Sequence, residues 1–383
     1  MSEQWTGDGP AARTGVVAAG SLQPMLDLRL AGLCLRLIAS QEDALRGVEA
    51  MLSPPCTAQP PTGTPDWTML IEEALQPATG DVETFEGPEL VFPQGGPRLS
   101  VVDSTAGRLR LHGRYRPDGA AASIETDRAA KTTRIVLPTG DTSAARLADW
   151  LAKGFFASRL LGTGWQMLHA SAVVVAGQAI LFLAGQRGGK STLAHRACAE
   201  LGAMFLADDL VLLGPDGTVA GWPARVCLPV DLPVPHGAGE VFERIVGGDV
   251  RRRVRLTPPE HRQALGVGYS PPVPLGAVIS IALGDNSGGS VRVHASPLER
   301  DALTSVVEKA LDVPSQRLFT GDLLGLTGSG STAPPTDATA GVLRLLSRKP
   351  GVQLTVGDPV SLPTVAVWRE LSAILPLLTA ESR

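Results

Sequence analysis

The sequence predicts an α/β fold in which a β-rich α+β module precedes a domain built around a strand, a glycine turn and a helix. Three observations carry this. The stretch AILFLAGQRGGKSTLA, residues 179–194, runs from an unbroken apolar segment through three glycines into a helical pattern. Upstream of it, several short alternating runs are separated by turn residues. Between them, at about residue 141, the hydrophobic period changes from two to helical. With 383 residues, 44% of them hydrophobic, the chain is long enough for two domains with packed cores.

Residues 1–20 are polar and rich in Gly and Ala, and are expected to form a flexible tail. Residues 21–140 form the N-terminal α+β module. It opens with LDLRLAGLCLRLIAS, whose alternation puts Leu33, Leu35 and Leu37 on one face of a strand or hairpin. QEDALRGVEAMLS follows as a helix with Ala44, Val48 and Leu52 on its apolar side, and PPCTAQPPTGTP reads as a proline-rich loop. The strands TMLIEEAL, LSVVDS, RLRLHG, ASIET and TRIVLP complete the module.

Residues 141–383 form the second domain. A helix with an N-cap in Asp141–Ser143 and a stripe of Leu147, Trp150, Leu151, Phe155 and Leu160 leads into it. MLHASAVVVAGQAILFLAG is two strands joined at Gly177-Gln178, and KSTLAHRACAELG is a helix stopped by Gly202. AMFLADDLVLLGPDGTVAGW reads as strand, acidic pair, strand and a PDG turn. Further on, PLGAVISIAL, SVRVHAS and GVQLTV are strands, and LERDALTSVVEKALD, GVLRLLSR and VAVWRELSAILPLL are helices. TGSGSTAPPTDATAG is a low-complexity loop.

The chemistry is concentrated at the glycine turn. Ala184-x-x-x-x-Gly189-Lys190-Ser191 is a phosphate-binding loop with Ala in place of the usual first Gly. Successive main-chain N–H groups of such a turn form a concave anion site, and the following helix adds its unpaired N–H groups and dipole. Gly185, Gly188 and Gly189 let the backbone approach a phosphate, with Gln186 and Arg187 between them. Lys190 supplies a point charge, and Ser191 offers a hydroxyl to Mg²⁺. Thr192 either assists Ser191 or simply occupies the first helical turn.

Asp208 and Asp209 close the short apolar run AMFLA. Neighbouring carboxylates on an extended backbone point to opposite sides, so the two could divide the work. One would hold Mg²⁺, and the other would accept the proton of an incoming hydroxyl. Ser191 and Asp209 are the candidate metal groups, with the division of labour between the acids left open. His169, at the start of the strand before the loop strand, either donates to a terminal phosphate oxygen or tunes a carboxylate, or is a hydrogen-bonded strand-end residue.

In this order, these elements resemble a known family. LHASAVVVAGQAILFLAGQRGGKSTLAHRACAELGAMFLADDLVLL is similar to the catalytic core of HPr kinase/phosphorylase and its wider family of HPr-kinase-like proteins. The resemblance implies an HPr-kinase-like P-loop kinase core, with a phosphate-loop architecture related to that of phosphoenolpyruvate carboxykinase. It implies nucleotide binding on Gly185, Gln186, Arg187, Gly188, Gly189, Lys190, Ser191 and Thr192, with ATP or GTP and Mg²⁺ as cofactors. It also implies catalytic roles for Asp208, Asp209 and His169. The Glu-Ile/Val-Arg-Gly-x-Gly segment of the bifunctional enzyme is missing, and VAGWPARVCLPVDLP stands in its place. The chain therefore looks closer to relatives associated with modified-peptide biosynthesis, which phosphorylate serine on a peptide.

The expected activity is phosphoryl transfer to a hydroxyl, on a peptide or protein serine. The alternatives are a small-molecule kinase on the same core and a nucleotide-binding accessory protein without transfer. A net charge of −4 argues against nucleic acid or an anionic membrane as partner. The one basic run, Arg251, Arg252, Arg253 and Arg255, is either a solvated face or a clamp for phosphate or an acidic peptide. The four cysteines, Cys34, Cys56, Cys198 and Cys227, form no CxxC pair and suggest buried thiols, not zinc or disulfides. The N-terminus lacks a signal pattern, and no apolar stretch reaches the roughly 18 residues of a membrane helix, so a cytoplasmic location is expected. Family members are often oligomers, so a homo-oligomer is possible.

Overall fold

The structure is a computed structural model of the chain. It describes residues 23–74, 89–91, 96–105, 107–115, 121–139, 145–232, 239–246, 249–284, 293–312, 338–357 and 364–379. The expected tail at 1–20, the N-cap at Asp141–Ser143 and most of the low-complexity loop lie outside these residues. The described part is mixed α/β, with three sheets and seven α-helices.

The chain opens with a hairpin of β1 (Met25–Leu30) and β2 (Leu33–Ala39). Its two turn residues, Ala31 and Gly32, both take positive φ, at 49° and 83°. That is the turn hand that matches strand twist. Next come α1 (Glu42–Leu52), β3 (Thr57–Gln59), β4 (Trp67–Ala74), β5 (Glu89–Val91), β6 (Arg98–Ser104), β7 (Arg108–Arg114), β8 (Ala122–Asp127) and β9 (Thr132–Pro138). These strands form one nine-stranded sheet in the order β3-β1-β2-β4-β9-β8-β7-β6-β5.

Three expectations change here. Leu45 joins Val48 and Leu52 as a buried residue of α1, while Ala44 is half-buried against the same core. The proline-rich loop contains β3, which pairs with β1 at the sheet edge, where prolines just beyond it cost no ladder bonds. α2 (Ala145–Gly162) was expected to bury one stripe, yet Ala148, Ala152, Phe156 and Ala157 are buried as well, and Trp150 is only half-buried. The reason is that α2 packs against both α1 and the start of the second sheet.

The second sheet is built from β10 (Gln166–Leu168), β11 (Ser171–Val175), β12 (Gln178–Leu183), β13 (Met204–Ala207), β14 (Val211–Leu213), β15 (Thr218–Gly221), β19 (Val273–Leu283), β20 (Val293–Pro297) and β21 (Gly351–Val356). Its main path is β10-β14-β15-β19-β12-β11-β13, with β21 beside β19 and β20 beside β21. β12 runs parallel to β19 and antiparallel to β11. Both faces of β12 are covered: Ile180 and Phe182 enter one core, and Ala179, Leu181 and Leu183 enter another. That explains its unbroken apolar run.

α3 (Lys190–Leu201) covers the first of these faces through Leu193, Ala194, Ala197 and Cys198. α5 (Arg300–Leu311) and α6 (Ala338–Leu346) cover the other through Val306, Val307, Val342 and Leu346. α7 (Thr364–Ser372) adds Val367, Trp368 and Leu371 to the α3 side. A small third sheet, β16-β18-β17, consists of β16 (Val226–Pro229), β17 (Glu240–Val246) and β18 (Asp249–Leu256). It leads to α4 (Pro258–Leu265), a helix the hydrophobic pattern did not reveal.

Candidate active site

β12 delivers the chain to the glycine turn, and Gly188 N–H donates to Gly185 O at 3.1 Å to close it. Arg187 and Gly189 take positive φ, 63° and 86°, so the loop folds back on itself before α3 begins at Lys190. Gly185, Gln186 and Arg187 are exposed at the tip, whereas Gly188, Lys190 and Thr192 are buried and Gly189 and Ser191 half-buried. The Lys190 Nζ donates to Ala184 O at 3.2 Å and to Gly185 O at 3.1 Å. Burial holds this ammonium below the usual lysine range, while the charges of Asp208 and Asp209 act in the opposite sense. The two acids therefore lie within electrostatic range of Lys190.

β13 pairs with β11, with Ala207 opposite Ala172, and this sets the acids beside the start of β11. Ser171 Oγ donates to Asp208 Oδ1 at 2.7 Å, and both residues are buried. His169 Nε2 donates to Asp209 Oδ1 at 3.1 Å, with side-chain exposures of 31% and 41%. His169 is itself tied to the end of α5, its N–H donating to Ala310 O at 2.7 Å. The two carboxylates have different partners, but the expected extended backbone with strand alternation is not found at this pair. Asp209 has φ 70°, a left-handed turn that a non-glycine residue adopts at a cost.

Asp208 also borders a small pocket, with room for about one water, whose walls include Phe205, Trp222, Val226, Tyr269 and, from the N-terminal module, Pro55. Asp209 does not line it. Behind the glycine loop lies a buried polar chain. His195 Nδ1 is 2.6 Å from Ser191 O, His195 Nε2 is 2.9 Å from His261 Nε2, and His261 Nδ1 is 2.6 Å from Tyr269 Oη. Burial lowers the affinity of both imidazoles for a second proton, His261 down to about 2 with His195 and Arg262 adding to the effect. Burial likewise raises the Tyr269 phenol above its ordinary range.

Among the described residues, no group of three or more His, Cys, Asp or Glu side chains is placed to hold a metal. Ser191 and Asp209 remain as hard oxygen donors near the loop. The basic run is extended within β18, with Arg251 and Arg252 exposed. Arg253 donates to Cys227 O, and Arg255 reaches Glu240 at 3.5 Å while lying 4.5 Å over the Phe242 ring. Those two guanidinium groups are engaged within their own small sheet. All four cysteines are free thiols, three of them buried and Cys227 half-buried.

Ser171, His195, His261 and Tyr269 escaped the sequence reading. Ser171 opens β11 two residues after His169, and a hydroxyl that close to the flagged histidine is a usable signal. His195 lies four residues after Ser191 on the predicted helix, one turn on. His261 and Tyr269 sit in a segment with no apolar stripe to draw attention to it.

No protein-family model and no curated protein matches the chain. No helix among the described residues is long and apolar enough to cross a membrane. What the fold and site define is a mixed α/β protein with a glycine loop at the head of a buried helix and two differently partnered aspartates within electrostatic range of its lysine.

Proposed function

We propose that the protein is a kinase that transfers the γ-phosphoryl group of ATP or GTP to a hydroxyl, a serine of a peptide or protein. The observation that carries this reading is the glycine loop at the head of α3, closed by its own Gly188–Gly185 hydrogen bond, with its buried Lys190 in electrostatic range of Asp208 and Asp209. It is supported by the different surroundings of the two acids, one buried at a small pocket and one half-exposed against a histidine.

In this reading the main-chain N–H groups of residues 185–192 hold the phosphates, and Lys190 exchanges its carbonyl partners for a phosphate oxygen. Asp208, oriented by Ser171, receives the proton of the acceptor hydroxyl. The acceptor oxygen bonds to the γ-phosphorus, the bond from that phosphorus to the bridging oxygen breaks, and the nucleoside diphosphate leaves. His169 fixes Asp209 on the loop side. Ser191 and Asp209 fit a Mg²⁺ ion shared with substrate phosphates, because that ion is commonly held by one or two protein oxygens and keeps its other positions for phosphate and water. When bound, Mg²⁺ supplies charge neutralisation on the transferred group.

The test uses γ-labelled ATP with Mg²⁺ and a library of blocked peptides carrying one central serine. Lys190→Ala is expected to lower transfer by at least about a hundredfold. Asp208→Asn is expected to do the same while Mg·ATP binding, followed by titration calorimetry, is kept. Asp209→Asn is expected to raise the Mg²⁺ concentration needed. Wild-type rates in all three variants would contradict the mechanism.

A further inference from the structure

The small third sheet has an inner and an outer face. Val226, Leu228, Val254 and Leu256 alternate into the core that α3 covers. The positions between them, Cys227 on β16 and Arg253 and Arg255 on β18, therefore face outwards, and Arg251 continues the same row. From β17, Glu240 and Phe242 stand opposite Arg255 and Arg253. Arg252 belongs to the inner row, opposite Glu243, at a point where the strand has left the core and the side chain is exposed.

The outer row is rich in positive charge. Arg255 meets Glu240 at 3.5 Å and lies over the Phe242 ring. Arg253 donates to Cys227 O, which orients the guanidinium without neutralising it and uses only part of its set of N–H donors. Arg251 is exposed. β17 and β18 together hold five arginines and three acids, in a chain of net charge −4, so the local sign opposes the global one. The row also leads towards Asp208. Burial raises the Cys227 thiol, the charges of Arg255 and Arg253 act against that, and Asp208 adds to it, so all three charges lie within electrostatic range of one residue. Val226, next to Cys227, lines the small pocket that Asp208 borders.

We infer that the outer face of this sheet docks an acidic, extended segment of the acceptor peptide, with carboxylates on Arg251 and Arg253 and the serine delivered to Asp208. This rests on the kinase reading and names its substrate class. Arg251 and Arg253 are two residues apart on one strand, about 7 Å. An extended peptide repeats its side chains on one side at the same interval, so the pattern recognised is acid-x-acid. Each guanidinium can take a carboxylate through two parallel N–H donors, which fixes the register of the segment. From Arg255, beside Cys227, to Arg251 is about 13 Å along β18. The acidic pair is therefore set back from the serine by about four residues or more.

Two measurements on the full chain test it. The first uses fluorescein-labelled peptides with alanine in place of the central serine, and Asp-x-Asp, Ala-x-Ala or Lys-x-Lys placed about four to six residues before or after it. Fluorescence anisotropy is expected to show Asp-x-Asp binding about tenfold tighter than Ala-x-Ala in one of the two placements, with Lys-x-Lys weaker still and the gap closing at about 0.5 M salt. The second is transfer of labelled γ-phosphate to the serine forms of the same peptides. Arg251→Glu is expected to raise KM for Asp-x-Asp about tenfold, with kcat and Mg·ATP affinity within about twofold. Arg252→Glu makes the same change of charge on the opposite face and is expected to leave KM within about twofold. Equal binding of the three peptides, or equal KM shifts in the two variants, would overturn the inference and, with transfer intact, leave the kinase reading standing. A loss of Mg·ATP affinity in Arg251→Glu with peptide binding unmoved would also overturn it and assign the arginine to nucleotide phosphate. Selective binding of Asp-x-Asp without transfer to any peptide would bring down the kinase reading and leave the face as a peptide-binding surface. Neither binding nor transfer would bring down both.

Discussion

At Gly188 a Cβ would stand 2.5 Å from the Ala184 Cβ and 3.1 Å from Gly185 O. The Ala184 side chain is buried in the core beneath α3, so it has no room to yield. The departure at the first loop position therefore depends on the glycine at the fifth. Gly188→Ala is expected to open the loop, costing about 1–3 kcal/mol of stability and most of the Mg·ATP affinity. Urea unfolding and calorimetry check the two parts separately, and unchanged affinity would contradict the packing argument. The loop residues were legible because glycine content and spacing are written locally. The partners of the acids were not, because Ser171 and His169 reach Asp208 and Asp209 only through the pairing of β11 with β13. The left-handed backbone at Asp209 has no sequence signature either.

α4 shows why one element carrying half of the buried histidine pair stayed hidden. It has only eight residues, and its buried side chains are Pro258, His261 and Leu265. A proline and a histidine do not register as an apolar stripe, so periodicity fails there. Its ends were nevertheless written in the sequence. Thr257 and Glu260 form a reciprocal capping box, with proline at the first helical position and Gly266 at φ 70° closing the helix. Thr257→Ala is expected to cost about 1 kcal/mol, measured by urea unfolding. The second hairpin was expected to turn at Gly177-Gln178, but Gln178 already belongs to β12 and the turn lies one residue earlier. Val175 pairs with Gln178 across Ala176 and Gly177, the same Ala-Gly turn that joins β1 and β2.

Across the whole molecule, the two regions share side chains at the site. The core of the first sheet continues into Met167, Leu212, Ala220 and Trp222 of the second region. Arg262, on the same helix as His261, donates to Ser53 O at 2.9 Å and to Ala50 O at 2.6 Å at the end of α1. Its guanidinium also lies 5.1 Å from the Tyr269 ring centre. Element identity was largely readable from local pattern, but sheet order was not, since pairings such as β12 with β19 join residues nearly a hundred positions apart.

The buried histidines set a pH dependence at this scale. His261 titrates at about 2 when folded against an ordinary 6.5, so the unfolded chain binds more protons between these values. Stability is full above pH 6.5 and is lost as pH falls. His261 alone is expected to remove about 2 kcal/mol between pH 7 and pH 5, and His195 acts in the same direction. Urea unfolding at the two pH values checks this, and a flat profile would contradict a neutral buried pair.

The most direct test of the account is transfer of labelled γ-phosphate from Mg·ATP to the serine peptide library by wild type and Asp208→Asn, with nucleotide binding measured on the same samples. The account predicts that both proteins bind Mg·ATP and only the wild type labels peptide. Equal labelling by the two proteins, or a wild-type chain that neither binds Mg·ATP nor labels any peptide, would contradict it.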